Sequence, residues 1–176
     1  VKINSLGDNE SRENYKKALK EYFNNKVSNL CEDCQRRYNT NILRILDCKV
    51  DKDSDILKGV PKIGDYLTKE SKEYFDGIKK ALDVLDIPYE EDSNLVRGLD
   101  YYTDMVFEVV TDIDSLGNAN TVCGGGRYDN LVETLGGKSV PAVGFGMGIE
   151  RLMILLKEVG KLDVKKEIDA YVMNLG

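Results

Sequence analysis

Arg97, Asp100, Tyr101 and Tyr102 crowd onto the lead-in to an alternating apolar run in "LVRGLDYYTDMVFEVV", residues 95–110. A guanidinium answers a carboxylate or a phosphate, and phenol hydroxyls hydrogen-bond a small polar ring. A second segment, "TVCGGGRYDNLVETLGG" at 121–137, sets Arg127 and Tyr128 directly behind a triple glycine. If the two segments are neighbours, Arg97, Asp100, Tyr102, Arg127 and Tyr128 can face one pocket. The plainer alternative is a buried tyrosine pair above a satisfied ion pair. That alternative is less economical, because buried guanidiniums are costly unless something anionic meets them.

A third segment, "VPAVGFGMGIERLMILL" at 140–156, alternates Gly144, Gly146 and Gly148 with Val143, Phe145 and Met147. Every second residue lacks a side chain, so one face of this strand is bare and a flat ring can lie on it. Arg151, in the first turn of the helix that follows, can stack on such a ring or pair with phosphate. Alone, the glycine alternation reads more readily as close packing of two backbones.

The elements that must hold these residues fall into two groups. Val1–Leu6 alternates as a strand and stops at Gly7-Asp8. Ser11 precedes a helical run with Tyr15, Leu19, Tyr22 and Phe23 at helical spacing. A helical or mixed segment spans 32–47, and a polar stretch follows with loops around a short helix. Thr68 with Ser71 starts another helix, its stripe formed by Tyr74, Phe75, Ile78, Ala81, Leu82 and Leu85. Residues 9–93 thus read as a helical unit. From Leu95 onward the pattern is strands, a turn at 112–120 holding Gly117 and Asn118, a strand followed by the triple glycine and a short helix, and then the glycine-rich strand. A helix with Leu152, Leu155 and Leu156 inward stops at Gly160. Hairpin-linked strands with packed helices indicate an α+β fold.

Bulk properties narrow the function. The net charge of -6 disfavours nucleic-acid binding through bulk charge, though not through a local patch. Arg36 and Arg37, with Lys16, Lys17 and Lys20, form such a patch, but Glu13, Glu21 and Glu32 balance it and a solvated face is the simpler reading. No histidine is present, which excludes a histidine-dependent triad or a histidine-rich metal site within this chain. Cys31 and Cys34 form a CxxC and Cys48 follows, yet a zinc site wants a fourth ligand and Cys123 is distant. On a helix the pair lies one turn apart as ordinary packing, which is the favoured reading, and no metal ligand is assigned; whether Cys31, Cys34 and Cys48 bind a metal stays open. Four cysteines, no signal peptide and no bilayer-length apolar run lead to the expectation of a cytoplasmic protein. A chain that begins at Val1, within a strand pattern, is expected to be an internal piece of a longer protein.

The three segments, taken in order and spacing, resemble the two histidine-specific signatures and the third class II motif of the histidyl-tRNA synthetases. "VKINSLGDNESRENYKKAL" and "CEDCQRRYNTNILRILDCK" also resemble that family. The resemblance implies a partial class II catalytic core, an antiparallel sheet flanked by helices, at 1–8 and 94–162. It implies a helical insertion domain at 9–93, and a linker with the start of an anticodon-binding domain at 163–176. It further implies activation of histidine with ATP to histidyl-adenylate and transfer to tRNA(His), in a homodimer that uses magnesium with its ATP. On the matching positions, Arg97 is the catalytic arginine, between the α-phosphate and the histidine carboxylate. Tyr101, Tyr102 and Tyr128 surround the imidazole; Arg151 stacks on adenine; Gly144, Gly146 and Gly148 floor the ATP site. The magnesium ligands are not assigned by the resemblance, and the piece by itself is expected to be inactive. A different class stays open: a non-catalytic regulatory paralogue of the ATP phosphoribosyltransferase system of histidine biosynthesis. The intact "RGLDYYT" signature favours the enzyme over it.

Overall fold

Ser11, Tyr15, Leu19 and Phe23 fall every fourth residue, and all four are buried on one stripe of helix α1, Asn9–Phe23. The computed structural model describes residues 1–96, 101–113, 120–162, 170 and 172–174. Arg97 and Asp100, the turn at Gly117-Asn118, and most of the segment assigned to an anticodon-binding domain lie outside these residues.

The helical part continues through α2 (Glu32–Thr40), the short α3 (Asp55–Lys58) and α4 (Lys69–Val84), with single 3-10 turns between them. Phenol hydroxyls tie α3 and the loop after it to α1. Tyr15 Oη donates to the Pro61 carbonyl at 2.8 Å, and Tyr22 Oη to that of Ile56 at 2.8 Å. Thr68 caps α4 as expected, its Oγ1 accepting from the Ser71 N–H at 3.2 Å. Two details differ from the sequence reading. The cap of α1 is Asp8 rather than Ser11, because the helix begins earlier and Ser11 lies inside its first turn. The stripe of α4 is buried at Ser71 and Phe75 but has emerged into solvent by Leu85, where the chain turns away through Asp86 at φ 54°.

Five strands form one sheet in the order β2-β1-β3-β4-β5: β1 Lys2–Ser5, β2 Glu90–Glu91, β3 Thr103–Val110, β4 Thr121–Arg127 and β5 Val143–Met147. Pairs β1–β3, β3–β4 and β4–β5 are antiparallel, as expected; β1–β2 is parallel. That parallel pair lies within the span read as helical. It arises because the helices between β1 and β2 act as one long crossover, which a parallel pairing requires. The triple glycine lies inside β4 rather than after it. Ladders on both sides supply the hydrogen bonds that offset the low strand propensity of glycine. The short α5, Leu131–Thr134, follows β4, and after β5 comes α6, Ile149–Glu158, with Leu152, Leu155 and Leu156 half-buried and Gly160 at φ 65° just beyond. No helix among the described residues is long and apolar enough to cross a membrane.

One apolar core joins the two groups of elements. Leu19, Phe23 and Ile45 from the helical part form a continuous cluster with Leu95, Tyr102 and Val106 at the sheet. A polar junction sits beside it. Asp8 Oδ1 accepts from the Ser11 N–H at 2.7 Å, and its Oδ2 accepts from the Thr68 hydroxyl at 2.7 Å. The Asp8 N–H donates to Ser71 Oγ, which donates in turn to Asp104 Oδ1 at 3.3 Å. Asp104 occupies a register shift of β3 with φ 48°, so the junction links both helix starts to a bulge in the sheet.

Burial alone would raise the Asp8 carboxyl, but donors from Thr68, Ser11 and Ser71 outweigh it and hold the group below the usual carboxylate range. A depressed carboxylate contributes stability that is complete above its unfolded value and is lost as pH falls through the folded one. Asp8→Ala is therefore expected to lower unfolding stability by about 1–2 kcal/mol at neutral pH. In urea titrations at several pH values, the gap between variant and parent should narrow below about pH 4. A gap that holds constant into that acid range would contradict the capping role.

Candidate active site

The register of β3, β4 and β5 decides which side chains share a face. Gly126 pairs with Gly144 and Gly124 with Gly146, so four glycines of two adjacent strands lie on one side of the sheet. Val106 and Glu108 of β3 pair with Gly126 and Gly124 and continue that face. The opposite face carries Gly125, Phe145 and Met147. A β-carbon on Gly125 would come within 2.2 Å of the Gly144 carbonyl oxygen, so this pairing admits no side chain there. By contrast, a β-carbon on Gly146 would meet nothing within 4 Å. The bare face is thus partly filled and partly open.

What fills it is aromatic. A β-carbon on Gly126 would lie 2.9 Å from Tyr102 Cδ1, and one on Gly144 would lie 2.2 Å from the Tyr128 hydroxyl. Both rings therefore rest where side chains have been removed. Tyr101, Tyr102 and Tyr128 form one cluster: ring centroids are 4.7 Å apart for Tyr101–Tyr102, 5.5 Å for Tyr101–Tyr128 and 5.9 Å for Tyr102–Tyr128. The latter two pairs meet edge to face, the arrangement favoured by the ring quadrupoles. All three of the expected ring-binding tyrosines are thus brought together, with Tyr102 buried and the other two half-buried.

The arginines divide. Arg127 leaves the pocket that its sequence position suggested. Strand alternation puts it on the other side from Gly126, where its Nε donates to Asp129 Oδ2 at 2.8 Å and its guanidinium stands 5.0 Å from the Tyr74 ring. Hydrogen bonding to Tyr74 and Asp129 raises its proton affinity further, so it acts as a fixed structural cation. Arg151 sits in the first turn of α6, exposed, with Nη1 donating to the Thr121 carbonyl. Gly148 is the residue that caps this helix rather than a member of the strand, and a β-carbon there would meet the Arg151 stem at 3.3 Å. The tyrosines and Arg151 therefore mark opposite ends of the glycine strip. From Gly144 to Gly148 the chain advances about 13 Å at strand rise.

Sequence reasoning missed Arg12. Its Nη1 donates to the Tyr102 carbonyl at 2.7 Å and so fixes the backbone that presents the ring. Nothing in the local pattern of α1 marks that partner 90 residues away. Arg12 also lines a cavity of about 370 Å³ that reaches Tyr102 and Val96. Lys16, Lys17, Lys20 and Arg44 share that lining with one acidic residue, Glu13, which gives it a positive balance suited to an anion. Arg36 and Arg37 do not contribute: Arg36 pairs with Asp33, and Arg37 donates to the Arg44 carbonyl.

On this face Glu108 accepts from the Thr121 hydroxyl at 3.0 Å; among the described residues, the one group of three or more metal-ligating side chains lies on the helical part.

Comparison with known proteins identifies the family. A sequence model described as histidyl-tRNA synthetase matches residues 3–152. The chain is 51% identical over 177 residues to the histidine–tRNA ligase of Thermosipho melanesiensis, spanning all of this chain and 41% of that protein. It is 49% identical over 175 residues to the Bacillus subtilis histidine–tRNA ligase, again covering 41% of it. In three dimensions it matches apo Staphylococcus aureus histidyl-tRNA synthetase with a TM-score of 0.72 and 42% identity, over 94% of this chain and 40% of the other. The chain thus spans about two fifths of the length of these relatives, and its α+β sheet is that of their class II fold. From the glycine-floored sheet, the tyrosine cluster and these matches together, the chain belongs to the histidyl-tRNA synthetase family.

Proposed function

We propose that the intact protein is a histidine–tRNA ligase, and that this chain supplies its amino-acid pocket together with the floor under its nucleotide. The observation that carries the reading is the placement of Tyr102 and Tyr128 over glycine positions of a sheet face that stays open at Gly146. Imidazole is held among Tyr101, Tyr102 and Tyr128. The nucleotide lies along Gly144 and Gly146, with its adenine toward Gly148 and Arg151. The histidine carboxylate attacks the α-phosphate, an oxygen–phosphorus bond forms, and pyrophosphate departs with the electrons of the bond that breaks. Negative charge on the reacting phosphate grows along this path, so a positioned cation lowers the barrier more than a base does. Arg97 is assigned that role through the resemblance of its segment, "LVRGLDYYT", to the family signature.

A terminal ribose hydroxyl of tRNA(His) then attacks the activated carbonyl and releases AMP. The positively lined cavity beside Tyr102 receives the RNA end, and the helical span at 9–93 acts as the insertion that contacts the acceptor arm. Magnesium travels with the triphosphate, and no step is assigned to protein ligands for it. A homodimer is the expected working form. Selection of histidine follows from polar groups that would be left unpaired by an amino acid of another shape, a penalty of about 1–3 kcal/mol for each group. The regulatory alternative is disfavoured by the near-50% identity to histidine–tRNA ligases over the whole chain.

Histidine-dependent ATP–pyrophosphate exchange and charging of tRNA(His) by the intact protein test this reading. Arg97→Ala is expected to reduce exchange turnover by about a hundredfold or more while changing histidine affinity far less. Equal loss in both, or no loss, would remove Arg97 from its role; absence of exchange in the parent protein would remove the function.

The two kinds of glycine should separate cleanly. Gly146→Ala should leave stability within about 0.5 kcal/mol, yet raise the KM for ATP about tenfold by placing a methyl on the floor. Gly126→Ala should cost about 1–3 kcal/mol of stability, since its β-carbon would crowd the Met105 carbonyl oxygen at 2.5 Å and push Tyr102 away. Thermal melts with paired steady-state kinetics on the intact protein check both. An unaltered KM for ATP in Gly146→Ala would count against the assigned floor.

A further inference from the structure

Cys31, Cys34 and Cys48 meet a fourth side chain that spacing alone did not single out. The ligand atoms of Cys31, Cys34, Cys48 and Asp51 all lie within 4.8 Å of one another. Cys31 Sγ is 3.6 Å from Cys48 Sγ, and Cys48 Sγ is 3.5 Å from Asp51 Oδ2. In a tetrahedral zinc site with Zn–S near 2.3 Å, neighbouring sulfurs stand about 3.8 Å apart and sulfur–oxygen edges slightly less. These two separations match that figure, and the others, all within 4.8 Å, need at most about 1 Å of closing.

The sequence order is C-x2-C, thirteen residues, then C-x2-D, so two short two-ligand turns come together. Cys31 caps α2 and Cys34 lies in its first turn, while Cys48 and Asp51 follow the 3-10 turn at Ile42–Ile45. Backbone groups already orient the set. The Cys31 N–H donates to Asp51 Oδ2 at 3.1 Å, and the Asp51 N–H donates to Cys48 Sγ at 3.4 Å. Such second contacts aim the ligands. Packing accounts for buried cysteines, since free cysteine behaves as a small apolar residue. Packing alone does not require that the Asp51 carboxylate, held by the Cys31 N–H and the Cys48 thiol, bring three sulfurs and one oxygen around a single point.

We infer that Cys31, Cys34, Cys48 and Asp51 form a structural Zn2+ site that clips α2 to the turn after it. Three soft sulfurs and one oxygen suit zinc over magnesium or calcium. All four tetrahedral positions are taken by protein, so the site is closed and structural rather than catalytic. The inference departs from the favoured packing reading of the cysteines, and it stands apart from the assignment of the glycine face.

The test uses the intact protein, purified under reducing conditions with no metal added. Elemental analysis should find one equivalent of zinc per chain. After removal of zinc by a chelator, titration with Co2+ should give the sulfur-to-cobalt charge-transfer band and the intense visible bands of tetrahedral cobalt. Asp51→Ala, which leaves the buried thiols in place, should weaken zinc binding about a hundredfold. Cys34→Ser should abolish the cobalt spectrum; if that variant fails to fold, the titration of the parent protein still decides. Zinc far below one equivalent together with no cobalt bands overturns the site. A Cys31–Cys48 disulfide in freshly isolated protein overturns it as well.

Discussion

Glycine facing glycine across β4 and β5 is the constraint on which the site depends. Two strands without side chains on one face leave a trough that only something flat can occupy, and the protein fills one end of it with its own phenol rings. Gly126 yields to Tyr102 and Gly144 to Tyr128. Beyond them, at Gly146, the trough is open. The same substitution of nothing for something thus does two different jobs within a few residues. It lets the protein's aromatic groups come close to the sheet, and it leaves an adjoining surface at the same depth for another ring. Gly125 on the reverse face does a third: it permits the backbones themselves to approach.

The helical part is tied to that trough rather than merely joined to it. The core runs unbroken from Phe23 and Ile45 to Tyr102 and Val106. Arg12 of α1 holds the carbonyl of the same tyrosine whose ring lies over Gly126. The junction of Asp8, Thr68, Ser71 and Asp104 fixes the starts of two helices to the bulge just after Tyr102. Displacement of the helices therefore moves the lead-in to β3, and with it the rings. This gives the positive cavity beside Tyr102 a physical link to the tyrosine cluster, through shared residues rather than through distance.

Much of this was legible in the residues. The period-4 stripe of α1, the Thr68 cap and the alternation in β5 each state a local rule that the fold obeys. The grouping of Tyr101, Tyr102 and Tyr128 was legible too, through the resemblance of their segments to a known family. What stayed hidden depends on contacts distant in the chain. Arg127 was grouped with its sequence neighbour Tyr128, but period-2 alternation sends the two to opposite faces, and Tyr74, far away in α4, decides where the guanidinium rests. The parallel pairing of Glu90–Glu91 with β1 had no signal, because two charged residues carry no strand pattern of their own. Asp51 escaped for a related reason: among the many acidic residues of the segment at 47–55, only the folded turn shows which one points at sulfur.

The central claim is that one face of this sheet is a composite floor, phenolic at one end and bare along the rest. The most direct measurement is a crystal structure of the intact protein with a non-hydrolysable histidyl-adenylate analogue. The account predicts the imidazole against Tyr102 and Tyr128 and the adenosine lying over Gly144 and Gly146, toward Arg151. An analogue seated on the reverse face, beside Gly125 and Phe145, or away from the tyrosines altogether, would contradict it.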